Sequence, residues 1–236
     1  MVVMTKKRRS SASGDQDSGR FRFDQAEADR AVRFFAAFLR HAKGEFADKP
    51  FVLLPWQGRV VRDLFGWKRA DGTRKYRRAY IEVPRKNGKS QLAAAIAVYL
   101  LFADGEAGAE VYSAALDRAQ AAIVFDAATA MVAASPTLQS RAETYRSSIV
   151  VPATGSRYKV LSADAPNAQG LNASGIIFDE LHVQPNRELW DVLNTSTGAR
   201  RQPLTLAITT AGFDRHSICW EIHDYALKVR EGGIDD

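Results

Sequence analysis

From Asp24 to about Lys43 the apolar residues Ala28, Ala31, Val32, Phe35, Phe38 and Leu39 recur at helical spacing, with arginine and aspartate between them. That pattern predicts an amphipathic helix. A second helix is expected from Pro55 through Val60, Val61 and Leu64 towards Gly66, because proline is tolerated in a first turn where its missing N–H has no partner. The charged stretch Lys68 to Arg78 contains the turn signal Asp71-Gly72 and reads as a loop. Short apolar runs then alternate with helical segments. Strands are expected at Ala79 to Val83, Glu110 to Ala114, Gly175 to Phe178 and Leu204 to Thr209. Helices are expected from Ser90 through Leu100, from about Leu116 to Ala134 before Ser135-Pro136, from Asn186 to Asn194, and from Trp220 to Val229. Ser148 to Val151 and Tyr158 to Leu161 flank Ala153-Thr154-Gly155-Ser156 and read as a hairpin.

Strands that alternate with helices predict an α/β fold: a mainly parallel central sheet flanked by helices on both faces, plus a small β-hairpin. Ligands of such a sheet sit at the carboxyl ends of its strands. With 236 residues, 46% of them hydrophobic, the chain can bury one large core, which we place in residues 23–236. Residues 1–22 are rich in Ser, Gly and Asp, carry Lys6, Lys7, Arg8 and Arg9, and are expected to form a disordered basic tail. The net charge of +6 favours a polyanionic partner. A single cysteine, Cys219, excludes an internal disulfide and fits a reducing compartment. No run approaches the roughly 20 apolar residues of a membrane span, so a soluble cytosolic protein is expected, with no membrane partner.

The strongest chemical signal is Val83-Pro84-Arg85-Lys86-Asn87-Gly88-Lys89-Ser90, set between a predicted strand and a predicted helix. This is the context a phosphate-binding (Walker A) loop requires. In the segment Pro84 to Ser90, the backbone N–H groups that follow the proline can surround phosphates, Lys89 can neutralise their oxygens, and Ser90 is placed to ligate Mg²⁺. The sequence departs from the usual pattern at Val83, where a glycine is normal. A second signal is Ile176-Ile177-Phe178-Asp179-Glu180, an apolar strand delivering two carboxylates to its end (Walker B). Asp179 would hold the magnesium ion, and Glu180 would orient and deprotonate the attacking water. The third is Leu206-Ala207-Ile208-Thr209-Thr210-Ala211-Gly212, whose hydroxyls are placed to sense a γ-phosphate and relay its loss. ATP and Mg²⁺ are thus the expected ligands.

The order Pro-Arg-Lys-Asn-Gly-Lys-Ser, then Ala168-Gln169-Gly170-Leu171 leading into Ile177-Phe178-Asp179-Glu180-Leu181-His182, then Ile208-Thr209-Thr210-Ala211-Gly212, resembles the ATPase domain of tailed-phage large terminases over residues 50 to 215. The resemblance implies a P-loop NTPase fold of the ASCE type and a motor that hydrolyses Mg-ATP to move double-stranded DNA into a procapsid. It implies coupling roles for Thr209 and Thr210, and an adenine-side element at Trp56 and Gln57. It also implies a γ-phosphate role for Arg85, and an arginine supplied by a neighbouring subunit, for which Arg141, Arg146, Arg200 and Arg201 are candidates. The partners implied are DNA phosphates, a portal protein, a small terminase subunit and a homo-oligomeric ring, in the host cytoplasm. Family members carry a nuclease domain after the ATPase; none fits before Asp236, so no DNA cleavage is expected of this chain. His182 is expected at a solvent-facing helix start, with contact to DNA or a neighbouring subunit as the alternative. Two other readings share the motifs: a helicase-like P-loop motor, and a nucleotide-binding module inactive as an isolated monomer.

Overall fold

The computed structural model describes residues 2–4, 20–41, 44–115, 118–162, 170–184, 186–212 and 214–234. In chain order the first elements are β1 (Val2–Met4), β2 (Phe21–Phe23), α1 (Gln25–Phe38), α2 (Pro55–Gly66), β3 (Trp67–Arg69), β4 (Arg78–Glu82) and α3 (Lys89–Phe102). There follow β5 (Glu110–Ala115), α4 (Arg118–Ala133), α5 (Pro136–Gln139), β6 (Glu143–Thr144), β7 (Ser148–Val151) and β8 (Ser156–Ser162). The chain continues with β9 (Gly175–Asp179), α6 (Glu188–Thr195), β10 (Leu204–Thr209) and α7 (Ile218–Arg230).

Eight strands form one sheet in the order β1-β4-β10-β9-β5-β8-β7-β6. The first six positions are joined by parallel pairings, and β7 and β6 add antiparallel strands at one edge. The hairpin expected at 148–161 is therefore part of the main sheet: β8 pairs with β7 on one side and parallel with β5 on the other. Buried on both faces, β9 and β10 can be apolar at nearly every position, and every residue of Gly175–Asp179 and Leu204–Thr209 is buried.

Two apolar cores lie on opposite faces of the sheet. One packs α3 and α4 against the strands, with α1 and α2 outside α3; the other packs α6 and α7 around Tyr80, Tyr112, Phe178 and Ala207. Because α3 is covered on all sides, it is apolar nearly all round, from Leu92 to Leu101. It lies so close to β9 that a Cβ at Gly175 would come within 2.8 Å of Leu100 Cδ1.

Three elements differ from the sequence expectation. Helix α1 starts where predicted, its cap Asp24 accepting the Glu27 N–H at 3.1 Å, but it stops at Phe38 and does not reach Lys43. Leu39 leaves the helix in extended conformation and is fully buried, its carbonyl accepting the Phe51 N–H, so core burial turns the chain back. Trp67–Arg69, in what read largely as a loop, pairs antiparallel with β2, with Phe23 edge-on to Trp67 at 5.4 Å. The ring of Phe23 also covers Gly66, where a Cβ would come within 2.6 Å of it. Of the expected tail, Val2–Met4 lies as an edge strand parallel to β4, while Lys6, Lys7, Arg8 and Arg9 lie outside the described residues.

Candidate active site

Register brings the three motifs together. Thr209 of β10 is level with Glu82 of β4, and Ile208 is level with Asp179 of β9, so the phosphate-loop strand and the acidic strand end on either side of the third motif. Val83 continues the pairing, its N–H donating to the Thr209 carbonyl at 3.1 Å. The loop then turns through two left-handed residues, Lys86 (φ 65) and Gly88 (φ 72), and the Asn87 amide braces it by donating to the carbonyls of Pro84 and Arg85. Here is the physical reason a glycine is dispensable at Val83: the left-handed turns fall further on. At Lys86 a non-glycine residue bears this conformation, at a cost of about 1 kcal/mol.

Lys89 opens α3 and is buried, with Nζ 3.6 Å from Glu180 Oε1. The Ser90 hydroxyl donates to Asp179 Oδ2 at 2.7 Å. Asp179 Oδ1 is buried without a hydrogen-bond partner. Burial pushes the Asp179 carboxyl above its ordinary value; the Ser90 hydroxyl opposes this, the adjacent Glu180 charge adds to it, and Lys89 opposes it. A cation relieves both the orphaned oxygen and the like-charge crowding, and oxygen donors from a serine and a carboxylate suit a hard ion such as Mg²⁺. Among the described residues no group of three or more His, Cys, Asp or Glu could hold a metal, so such an ion would need further oxygens from phosphate or water.

Glu180 leaves β9 in the left-handed region (φ 53, ψ 54), an uncommon conformation for a non-glycine residue, while its N–H donates to the Ile208 carbonyl at 2.9 Å. Thr210 donates to Glu180 Oε2 from both its N–H and its hydroxyl, each at 3.3 Å. His182 Nδ1 lies 3.2 Å from the same oxygen. Glu180 and His182 border a cavity of about 440 Å³ that is lined also by Arg85, Lys86, Gly88, Lys89, Ser90, Gln91, Gln120 and Val183.

Of the expected site residues, Arg85, Lys86, Gly88, Lys89, Ser90 and Glu180 line this cavity, and Pro84, Asn87, Asp179, Thr209 and Thr210 lie beside them through the contacts above. Trp56 and Gln57 do not line the cavity. Gln57 is buried, its Oε1 accepts the Leu54 N–H at 2.9 Å, and a Cβ at Gly88 would sit 3.3 Å from its Nε2. His182, expected to face solvent at a helix start, lies partly buried in a short helical turn with its ring against Glu180 and Thr209. Nothing in the motif itself shows this, because the contact depends on β10 lying beside β9. The four arginine candidates lie apart from this cavity, as an arginine serving a neighbouring subunit would. Arg200 donates to the carbonyls of Asn172, Ala107 and Gly108, and Arg201 donates to that of Asp71, so both brace loops at the amino ends of the strands, away from the cavity. Arg141 borders a second cavity beside α1 and α5, and Arg146 is exposed. Ala168 and Gln169 lie outside the described residues.

A parallel sheet with a phosphate loop after one strand, an acidic pair after the next but one, and a threonine-ended strand between them defines a P-loop ATPase fold. Residues 55–228 match the family described as terminase large subunit, ATPase domain, and the chain belongs to it. It is similar to the large terminase subunit of Enterobacteria phage HK97, with 30% identity over 211 residues, which is 87% of this chain and 41% of the relative. The crystal structure of that phage's large terminase superposes with a TM-score of 0.74 at 27% identity, over 86% of this chain and 42% of that one. A shorter similarity, 34% over 58 residues, joins 25% of the chain to 13% of protein YmfN of Escherichia coli K12. The ATPase domain of the large terminase of Thermus phage P74-26 shares the fold, with a TM-score of 0.52 at 23% identity over 62% of this chain and 64% of that one. The chain thus spans about two-fifths of the HK97 relative's length.

Proposed function

We propose that this chain binds Mg-ATP and hydrolyses it as the motor domain of a viral large terminase, driving double-stranded DNA into a procapsid. The observation that carries the reading is the meeting of Lys89, Ser90, Asp179 and Glu180 at adjoining strand ends. Lys89 neutralises phosphate oxygens, and Arg85 and Lys86, exposed on the loop, add positive charge at the cavity mouth. Backbone N–H groups from Lys86 to Ser90, at the positive end of α3, favour the same anion. Ser90 and Asp179 would hold Mg²⁺, which when bound supplies neutralisation of the phosphate charge. Glu180 orients the attacking water and takes its proton. Phosphates at Lys89 compete with Glu180 for the ammonium, so nucleotide binding frees the carboxylate from that pairing. Gln57 offers a base only its Nε2, with Trp56 half-buried beside it, because its Oε1 is held by Leu54.

Thr209 and Thr210 couple the strand between loop and acidic pair to Glu180, which supports a role in passing hydrolysis on to movement. Membership of the terminase family and the net charge of +6 support DNA phosphates as the track, with a portal protein, the small subunit and a homo-oligomeric ring on the procapsid as partners in the host cytoplasm. No helix among the described residues is long and apolar enough to cross a membrane. No nuclease activity is proposed for this chain. The test is phosphate release from ATP by the wild-type chain in Mg²⁺, in excess chelator, and by Lys89→Ala. Release that needs both the ion and the lysine supports the reading; release indifferent to both removes it.

A further inference from the structure

His182 sits at a junction of two strand ends, where its ring meets a hydroxyl and a carboxylate. The Thr209 hydroxyl donates its only hydrogen to the Thr210 carbonyl at 3.0 Å. The His182 N–H approaches the Thr209 oxygen at 3.3 Å, and His182 Nδ1 lies 3.0 Å from that oxygen. With that bond made, Thr209 Oγ1 is left to accept from the ring, which is the tautomer with the hydrogen on Nδ1. The same Nδ1 is 3.2 Å from Glu180 Oε2, which as a carboxylate oxygen also only accepts. Nδ1 thus hydrogen-bonds the β10 hydroxyl and lies at ion-pair distance from the carboxylate.

On the Glu180 side, Oε2 also takes both donors of Thr210, at 3.3 Å each. Oε1 takes no hydrogen bond among the described residues and meets only the Lys89 ammonium, at 3.6 Å. The two oxygens are thus divided: one takes both Thr210 donors and lies beside His182 Nδ1, the other is left to face Lys89. We propose that His182 is the positioning residue of the general base. It fixes Glu180 Oε2 from Nδ1, so that Oε1 is the oxygen presented to the attacking water, and through Thr209 it ties that orientation to β10. The proposal rests on the ATPase reading above. The left-handed backbone at Glu180 gives the geometry a reason to need such a holder, because a strained residue at a strand end keeps its side-chain direction only when neighbours fix it.

The experiment compares wild type, His182→Ala, His182→Asn and His182→Gln as full chains, with thermal unfolding of each to confirm folding. An asparagine amide places an N–H near the position of Nδ1, whereas glutamine reaches towards that of Nε2. The expected result is a kcat for His182→Ala lowered about 10- to 100-fold with KM and ATP affinity within about twofold, because the loss is confined to the transition state. His182→Asn recovers most of the kcat and His182→Gln does not. In long-range ¹⁵N–¹H NMR of the wild-type ring, Nδ1 is protonated. Three results overturn the proposal: a wild-type kcat in His182→Ala, parallel losses in kcat and ATP affinity, or a bare Nδ1. A wild-type chain that hydrolyses no ATP at any concentration fails the ATPase reading and takes this one with it. A wild type that hydrolyses ATP alongside an equally active His182→Ala fails this one alone.

Discussion

Ser90 Oγ donates to Asp179 Oδ2 at 2.7 Å, joining the first turn after the phosphate loop to the end of a strand 89 positions along the chain. The bond fixes one oxygen of Asp179 and leaves the other buried and unpartnered, so the pair is preset to receive a cation. Ser90→Ala removes both the proposed Mg²⁺ ligand and the donor that aims Asp179. We expect the Mg²⁺ concentration that half-saturates ATP binding to rise about 10- to 100-fold. Titrating fluorescent ATP against Mg²⁺ measures it, and an unchanged midpoint would separate Ser90 from the metal.

Arg200 reads from the sequence as a candidate for a neighbour's catalytic site, yet its guanidinium is spent on three carbonyls at the amino ends of the strands. Arg200→Ala should lower unfolding free energy by about 1.5–3 kcal/mol, the range for hydrogen bonds to a charged group. Its kcat per folded molecule, and the rise of that rate with protein concentration, should match wild type. Loss of the concentration dependence with unaltered stability would restore the catalytic assignment.

Arg74 and Asp104 form a buried ion pair, with the guanidinium 4.9 Å from the centre of the Phe65 ring. Removing one partner strands the other charge in the core. Arg74→Leu is expected to cost about 3–5 kcal/mol, and Arg74→Leu with Asp104→Leu to recover much of it. Urea denaturation of the two single variants and the double variant completes the cycle; additive losses would mean the pair is not coupled.

Glu27 is held by Arg30 and by Lys68, linking α1 to β3. The hydrogen bond from Arg30, with the charges of Arg30 and Lys68, keeps its carboxyl below the ordinary value against a smaller opposing effect of burial. A depressed folded pKa contributes stability that is present above the ordinary value of 4.5 and lost as pH falls through the folded value. Glu27→Gln should therefore be less stable than wild type at neutral pH, and the gap should close on acidification below 4.5. Thermal midpoints across that range test it; a gap constant with pH would assign the effect to packing alone.

Much of the fold was legible because its signals are local. The Pro55 start of α2, the loop between β4 and α3, and the all-apolar runs of β9 and β10 each announce themselves within a few residues. The phosphate and acidic motifs were legible for the same reason: their chemistry is written in consecutive positions. What the sequence hid depends on neighbours across the sheet. Trp67–Arg69 is a strand only because Phe21–Phe23 lies beside it, and Leu39 leaves α1 because the core at Phe51 draws it in. His182 meets Glu180 only because β10 brings Thr209 alongside, and the bracing role of Arg200 shows only when the three carbonyls around it are seen.

The central claim is that Glu180 is the base of a Mg-ATP hydrolysing site. It is tested most directly by comparing wild type with Glu180→Gln over a range of protein concentrations, following phosphate release and ATP binding in parallel. We predict that the substitution lowers turnover by about 10²- to 10⁴-fold at every concentration while ATP affinity stays within a few-fold of wild type. Equal turnover in the two proteins would contradict the claim and leave the acidic pair with a structural role.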